Sequence, residues 1–118
     1  MTRLATTTVA AAVMLLAVAS APACGGDSVG NQGLTVGGSC ANDRDCDQKC
    51  LTGGDFPQGT CSVRCSNDAQ CPGGTACVDK DGGYCLLTCD FSSDCRGGYT
   101  CKGKKRVDKS GEVLVCIE

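Results

Sequence analysis

The pattern of apolar and polar positions divides the chain near residue 24. No side chain from 4 to 23 is charged, and the most apolar run is 9–18. Beyond it, aliphatic residues come singly or in short pairs, so the pattern predicts little regular secondary structure apart from three short β-hairpins. One hairpin runs from Val78 through the turn DKDG (79–82) to Gly83, Tyr84 and Cys85. Another runs from KKRV (104–107) through DKSG (108–111) to EVLVC (112–116). Asp at the first turn position and Gly at the fourth match a type I turn. The remaining hairpin is marked by FPQG (56–59), with Pro57 at the second position, before Thr60 and Cys61.

Each predicted hairpin ends on a cysteine, and the cysteine spacing repeats. Twelve of the thirteen cysteines lie at 40, 46, 50, 61, then 65, 71, 77, 85, then 89, 95, 101, 116. They frame three tandem four-cysteine units, 40–61, 65–85 and 89–118, each with a short loop and a β-hairpin. The joins CSVRC (61–65) and CLLTC (85–89) are equal in length, which puts neighbouring units in direct contact. Each first loop closes on Asp or Gln just before the second cysteine: ANDRDC, SNDAQC, FSSDC. Asn and Asp there favour an Asx-turn or one turn of helix. The Gly-Gly pairs in CPGGTAC (71–77) and CRGGYTC (95–101) permit positive φ between close cysteines. Within a unit, first-to-third and second-to-fourth pairing is favoured because it ties the hairpin to the preceding loop. Third-to-fourth pairing across the hairpin stays open.

Composition makes those bridges the main source of stability. The 118 residues include no tryptophan, and only Phe56, Tyr84, Phe91 and Tyr99 are aromatic beyond residue 24. So sparse an apolar set cannot offset backbone ordering by itself. Zinc and iron–sulfur sites favour C-x-x-C pairs, often with histidine; here the shortest gap is three residues and histidine is absent. Structural disulfides are expected at all twelve positions, with no metal or cofactor. The net charge of −2 is divided unevenly, but neither half is basic enough to suggest nucleic acid.

The first 23 residues read as a signal peptide: Arg3, an apolar run too short to span a bilayer, then Ala21-Pro22-Ala23. Ala23-Cys24 resembles the lipobox of bacterial lipoproteins, with Ala21 and Pro22 departing from its usual residues. The resemblance implies a diacylglyceryl thioether on Cys24 and attachment to a lipid bilayer. Parity agrees, since lipidation of Cys24 leaves twelve cysteines to pair. Cleavage after the same A-x-A without lipidation would leave Cys24 as an unpaired or intermolecular thiol in a soluble secreted protein. Residues 24–39, with six glycines from 25 onward, read as a lipid-anchored flexible tether. Gly25 after the cysteine is similar to signals sorted to the outer membrane.

Three further motifs bear on chemistry. DRDCD (43–47) alternates Asp43, Asp45 and Asp47, but Gln48 and Gly54 replace the glycine and acid of a calcium loop, leaving a solvated acidic turn. The basic segment containing Lys102, Lys104, Lys105 and Arg106 is expected either to blunt a hairpin edge or to contact an anionic glycan, a headgroup or a trypsin-like protease. Without histidine or an available thiol, no acid–base or nucleophilic constellation is legible, so no catalytic residue is expected.

The SND…C loop, the Gly-Gly turn and the closing hairpin resemble the Dickkopf N-terminal and EB-like cysteine-rich modules. With the signal and the lipobox they are similar to many lipoproteins of myxobacteria and their relatives. The resemblance covers 40–118 and implies an extracellular interaction or structural module on the outer membrane or cell surface. A disulfide-stapled protease inhibitor presenting 102–106 is the alternative.

Overall fold

A computed structural model describes residues 28–118. The expected signal peptide, Cys24 and the stretch up to residue 27 lie outside the described residues.

The protein is small and disulfide-rich, built of three units that each contain one two-stranded antiparallel sheet. Strand β1 (Lys49–Leu51) pairs with β2 (Thr60–Ser62), β3 (Thr75–Val78) with β4 (Tyr84–Leu87), and β5 (Thr100–Lys105) with β6 (Glu112–Ile117). Each first loop makes a single 3-10 turn, at Asp43–Asp45, Asp68–Gln70 and Ser92–Asp94.

The residue before the second cysteine shapes each loop by folding back on it. Asp45 Oδ2 accepts the amides of Ala41 (2.8 Å) and Asn42 (3.2 Å), and Asp94 Oδ2 accepts those of Asp90 (3.0 Å) and Phe91 (2.9 Å). Gln70 Oε1 does the same for Ser66 at 2.6 Å. A second side chain, three residues after the first cysteine, ties each loop to its hairpin. Asp43 Oδ1 accepts the Cys50 amide at 2.9 Å, Asp68 Oδ1 accepts that of Cys77 at 2.8 Å, and Ser92 Oγ accepts that of Cys101 at 3.0 Å. The Gly-Gly turns then close with Thr75 donating to the Pro72 carbonyl and Tyr99 to that of Arg96. Gly74 (φ 82°) and Gly98 (φ 87°) occupy the left-handed position these turns require.

All six disulfides follow the first-to-third, second-to-fourth pattern: Cys40–Cys50 and Cys46–Cys61, Cys65–Cys77 and Cys71–Cys85, Cys89–Cys101 and Cys95–Cys116. The third and fourth cysteines stand directly opposite each other in register, as Cys50↔Cys61, Cys77↔Cys85 and Cys101↔Cys116. Both nevertheless bond back to the loop, so each hairpin is held to its loop at two points.

The units close on one another. Arg64, in the first join, bridges to Tyr84, and the Cys85 amide donates to the Val63 carbonyl. Thr88, in the second join, bridges to Val115 in the same way. The end of unit three returns to unit one, where the Glu118 amide donates to Asp55. The enclosed core takes Leu51 and Phe56 from unit one, Val78, Tyr84 and Leu86 from unit two, and Tyr99, Val115 and Ile117 from unit three.

The expectation of a flexible tether over 24–39 is corrected for its described part. Residues 28–38 fold into a compact arm. Gly37 donates to the Cys61 carbonyl and Cys61 to that of Gly38, so this stretch docks on β2 as the first join docks on β4. Val36 is fully buried against Val63, Cys65, Cys77 and Cys85. A Cβ on Gly37 (φ 111°) would collide with the Gly30 carbonyl and the Leu87 side chain, so glycine here permits close packing. Glycine content suggested freedom; a single valine with two backbone-docking glycines produces the opposite.

Candidate functional site

Residues 102–105 of the basic segment lie on β5, paired along its length with β6. Lys102 and Lys105 are exposed, whereas Lys104 and Arg106 are half-buried. Strand alternation puts Lys102 and Lys104 on one face, and both add positive charge near Asp55. That carboxylate bonds Lys80 Nζ at 2.5 Å, which holds it below the usual carboxylate range and raises Lys80 in turn. Arg106 turns away from solvent and donates to Asp68 Oδ2 at 2.8 Å, with Lys109 3.2 Å from the same oxygen. The segment is a paired strand fixed at its far end, not an exposed loop. It presents two exposed lysines and one half-buried one.

The aspartates of DRDCD have separate duties. Asp43 takes the Cys50 amide, with Lys49 3.6 Å away, and Asp45 caps its own loop. Asp47 Oδ2 accepts the Thr35 hydroxyl at 2.6 Å and so holds the arm. Donation from Cys50 pulls Asp43 below its ordinary pKa; donation from Cys77 does so for Asp68, and from Phe91 and Asp90 for Asp94. The sulfurs that gather within 4.8 Å in each unit all belong to disulfides. They offer no thiolate for a metal or a nucleophilic step.

A polar cluster joins units one and three. Arg96 lies over the Tyr99 ring at 4.5 Å and donates to the Gly59 carbonyl, to Thr60 Oγ1 (2.7 Å) and to the Tyr99 hydroxyl (2.9 Å). The Tyr99 hydroxyl lies 2.7 Å from Thr60 Oγ1 and donates to the Pro57 carbonyl at 2.9 Å. Burial raises the Tyr99 pKa above its usual value. Sequence reasoning passed over this cluster. Its only local signal was that Arg96 and Tyr99 flank the Gly-Gly of unit three, where unit two has Pro72 and Thr75.

Two concavities accompany it. A cavity of about 10 Å³ beside Thr60, Leu86, Arg96 and Tyr99 is at the size limit for one water. An open groove of about 660 Å³ crosses unit one, along Ser39, Thr52, Phe56, Pro57 and Gln58. Among the described residues, the large exposed apolar side chains are Leu34, Phe91, Val107 and Leu114.

Six disulfides in a chain this short suit an exported, oxidising setting. No protein-family model, curated protein or solved structure matches the chain.

Proposed function

We propose that the chain is an exported surface protein anchored through a lipid on Cys24, whose stapled body serves as a noncatalytic interaction module. The carrying observation is cysteine accounting: the twelve cysteines from 40 to 116 pair among themselves, leaving Cys24, which follows an A-x-A sequence at the end of an apolar run. A thiol left at that position in an oxidising compartment would be reactive, and thioether formation removes it. Asp43, Asp45, Asp68, Asp94, Arg96 and Tyr99 are committed to holding loops and units together, which supports a binding or structural role over catalysis. The lysines of β5 offer the contact for an anionic glycan or an acidic face of another surface protein.

Intact mass of the protein from native membranes, before and after reduction and alkylation, tests the anchoring. The expected mass is that of residues 24–118 plus glycerol and acyl chains, with twelve cysteines alkylated only after reduction. A lipid-free mass with thirteen alkylatable cysteines would overturn it. Binding to acidic polysaccharide that weakens in a Lys102→Ala/Lys104→Ala/Lys105→Ala variant supports the contact; unchanged binding would remove β5 from it.

A further inference from the structure

The folded arm changes the geometry of anchoring. Four residue steps separate Cys24 from Ser28, the first described residue, so the two Cα atoms lie at most about 14 Å apart. The arm is fixed on both sides. Val36 is buried in unit two, the Leu34 carbonyl accepts the Asp47 amide, and Asn31 Nδ2 donates to the Asp94 carbonyl at 2.9 Å. That last bond joins the arm to the 3-10 turn of unit three that Phe91 enters, since the Asp94 amide donates to the Phe91 carbonyl. The Thr35 amide donates to the Ser28 carbonyl at 2.8 Å, which puts Leu34 beside the residue nearest the anchor, and the Asn31–Asp94 bond sets the Phe91 turn against the same arm. Leu34 is 50% and Phe91 70% exposed.

We infer that this end seats directly on the lipid surface, with Leu34 and Phe91 entering the boundary between headgroups and acyl chains. The inference rests on lipidation of Cys24 as proposed above. The apolar face of an interfacial amphipathic helix is buried about 5–10 Å at that boundary, and here the short link holds two exposed apolar side chains within comparable reach of it. The loops that hold the arm carry Asp43, Asp45, Asp47, Asp90 and Asp94 against Arg44, Lys49 and Arg96, a mixed charge with a small acidic excess, so the surface that fits is zwitterionic, of the phosphatidylethanolamine kind. Strand β5 leads away from this end, its bond to Ser92 being at Cys101. Arg106 is about 16 Å further along the strand, so Lys102 lies beside the proposed seat, with Lys104 and Lys105 progressively further from it.

The chain contains no tryptophan, so Phe91→Trp and Leu34→Trp each introduce a single reporter. Val107→Trp, beyond the far end of β5, serves as reference. Each lipidated protein is reconstituted into phosphatidylethanolamine/phosphatidylcholine vesicles carrying brominated acyl chains. Indole emission from the Phe91→Trp and Leu34→Trp proteins should shift to shorter wavelength and be quenched by bromine, with neither effect in Val107→Trp. Equal, water-like emission from all three variants at lipidated mass would overturn the seating alone and leave both side chains to a protein partner. A lipid-free mass for the same samples would overturn the anchoring itself.

Discussion

The Oδ1 atom of Asp68 accepts the amide hydrogen of Cys77 at 2.8 Å, while its Oδ2 atom holds Arg106 at the same distance. One carboxylate thus ties the second loop to its own hairpin and to the end of β5 in the next unit. Asp68→Ala leaves the outward amide of the buried Cys77 without its partner, at a cost of about 1–3 kcal/mol. Asp68→Asn keeps an acceptor and should lose much less. Denaturant unfolding with the disulfides intact distinguishes the two.

The same carboxylates set an acid limit. The folded-state pKa values of Asp43 and Asp68 lie below the ordinary value, so the folded state binds fewer protons than the unfolded chain near pH 4. Their stabilisation is present above the unfolded value of about 3.9 and is lost as pH falls through the lower folded values. Hydrogen-exchange protection of the Cys50 and Cys77 amides should therefore decline as pH falls below about 4. In Asp68→Asn the Cys77 amide should show no such step. A step that survives in this variant would assign it to another group.

The cluster between units one and three is accessible through its hydroxyl. Tyr99→Phe removes the donor to Pro57 and the partner of Thr60, and leaves Arg96 one acceptor short. A loss of about 1–3 kcal/mol is expected, with increased exchange at both Thr60 and Tyr99 amides. Loss confined to unit three would mean that the contact does not couple the units.

Shared burial makes the three units one cooperative body. Replacing Cys95 and Cys116 by serine opens the bridge of largest sequence separation, 21 residues, and should cost about 2–5 kcal/mol. Because Leu51, Phe56, Val78 and Leu86 pack in the same core as Val115 and Ile117, amides of units one and two should lose protection together with those of unit three. Independent units would leave them unchanged.

Burial of Val36 is what converts the glycine-rich stretch into an arm. Val36→Ala removes the equivalent of two buried methylenes, about 1–2 kcal/mol. It should raise exchange at Gly37 and render 28–38 sensitive to protease while the hairpins stay protected.

The legible part of this fold was whatever repeats in register. Cysteine spacing, the Asp or Gln before each second cysteine and the hairpin turns are local, and local geometry recurs from unit to unit. The illegible part depends on which unit meets which. Val36 stands alone among glycines, with no period to mark it as buried, although Gly38 and Val63 share the same offset from the cysteine that opens their units. Arg96 and Tyr99 looked like turn neighbours because their partners, Gly59 and Thr60, lie 37 and 39 residues away. The proposed membrane-facing pair was hidden for the same reason: Leu34 and Phe91 meet one surface only once Asn31 has reached Asp94.

The joins have a consequence for the edges of the sheets. The outward amides of Cys61 and Cys85 are taken by Gly38 and Val63, Cys89 donates to Leu114 on β6, and Glu118 closes back on Asp55. On the opposite edges, Asp43, Asp68 and Ser92 occupy the amides of Cys50, Cys77 and Cys101. A linear array keeps an open end onto which another module, or another molecule, can add its strand. Here those backbone positions are used within a closed triangle. A further strand approaching these edges meets side chains and bonded amides in place of unpaired backbone.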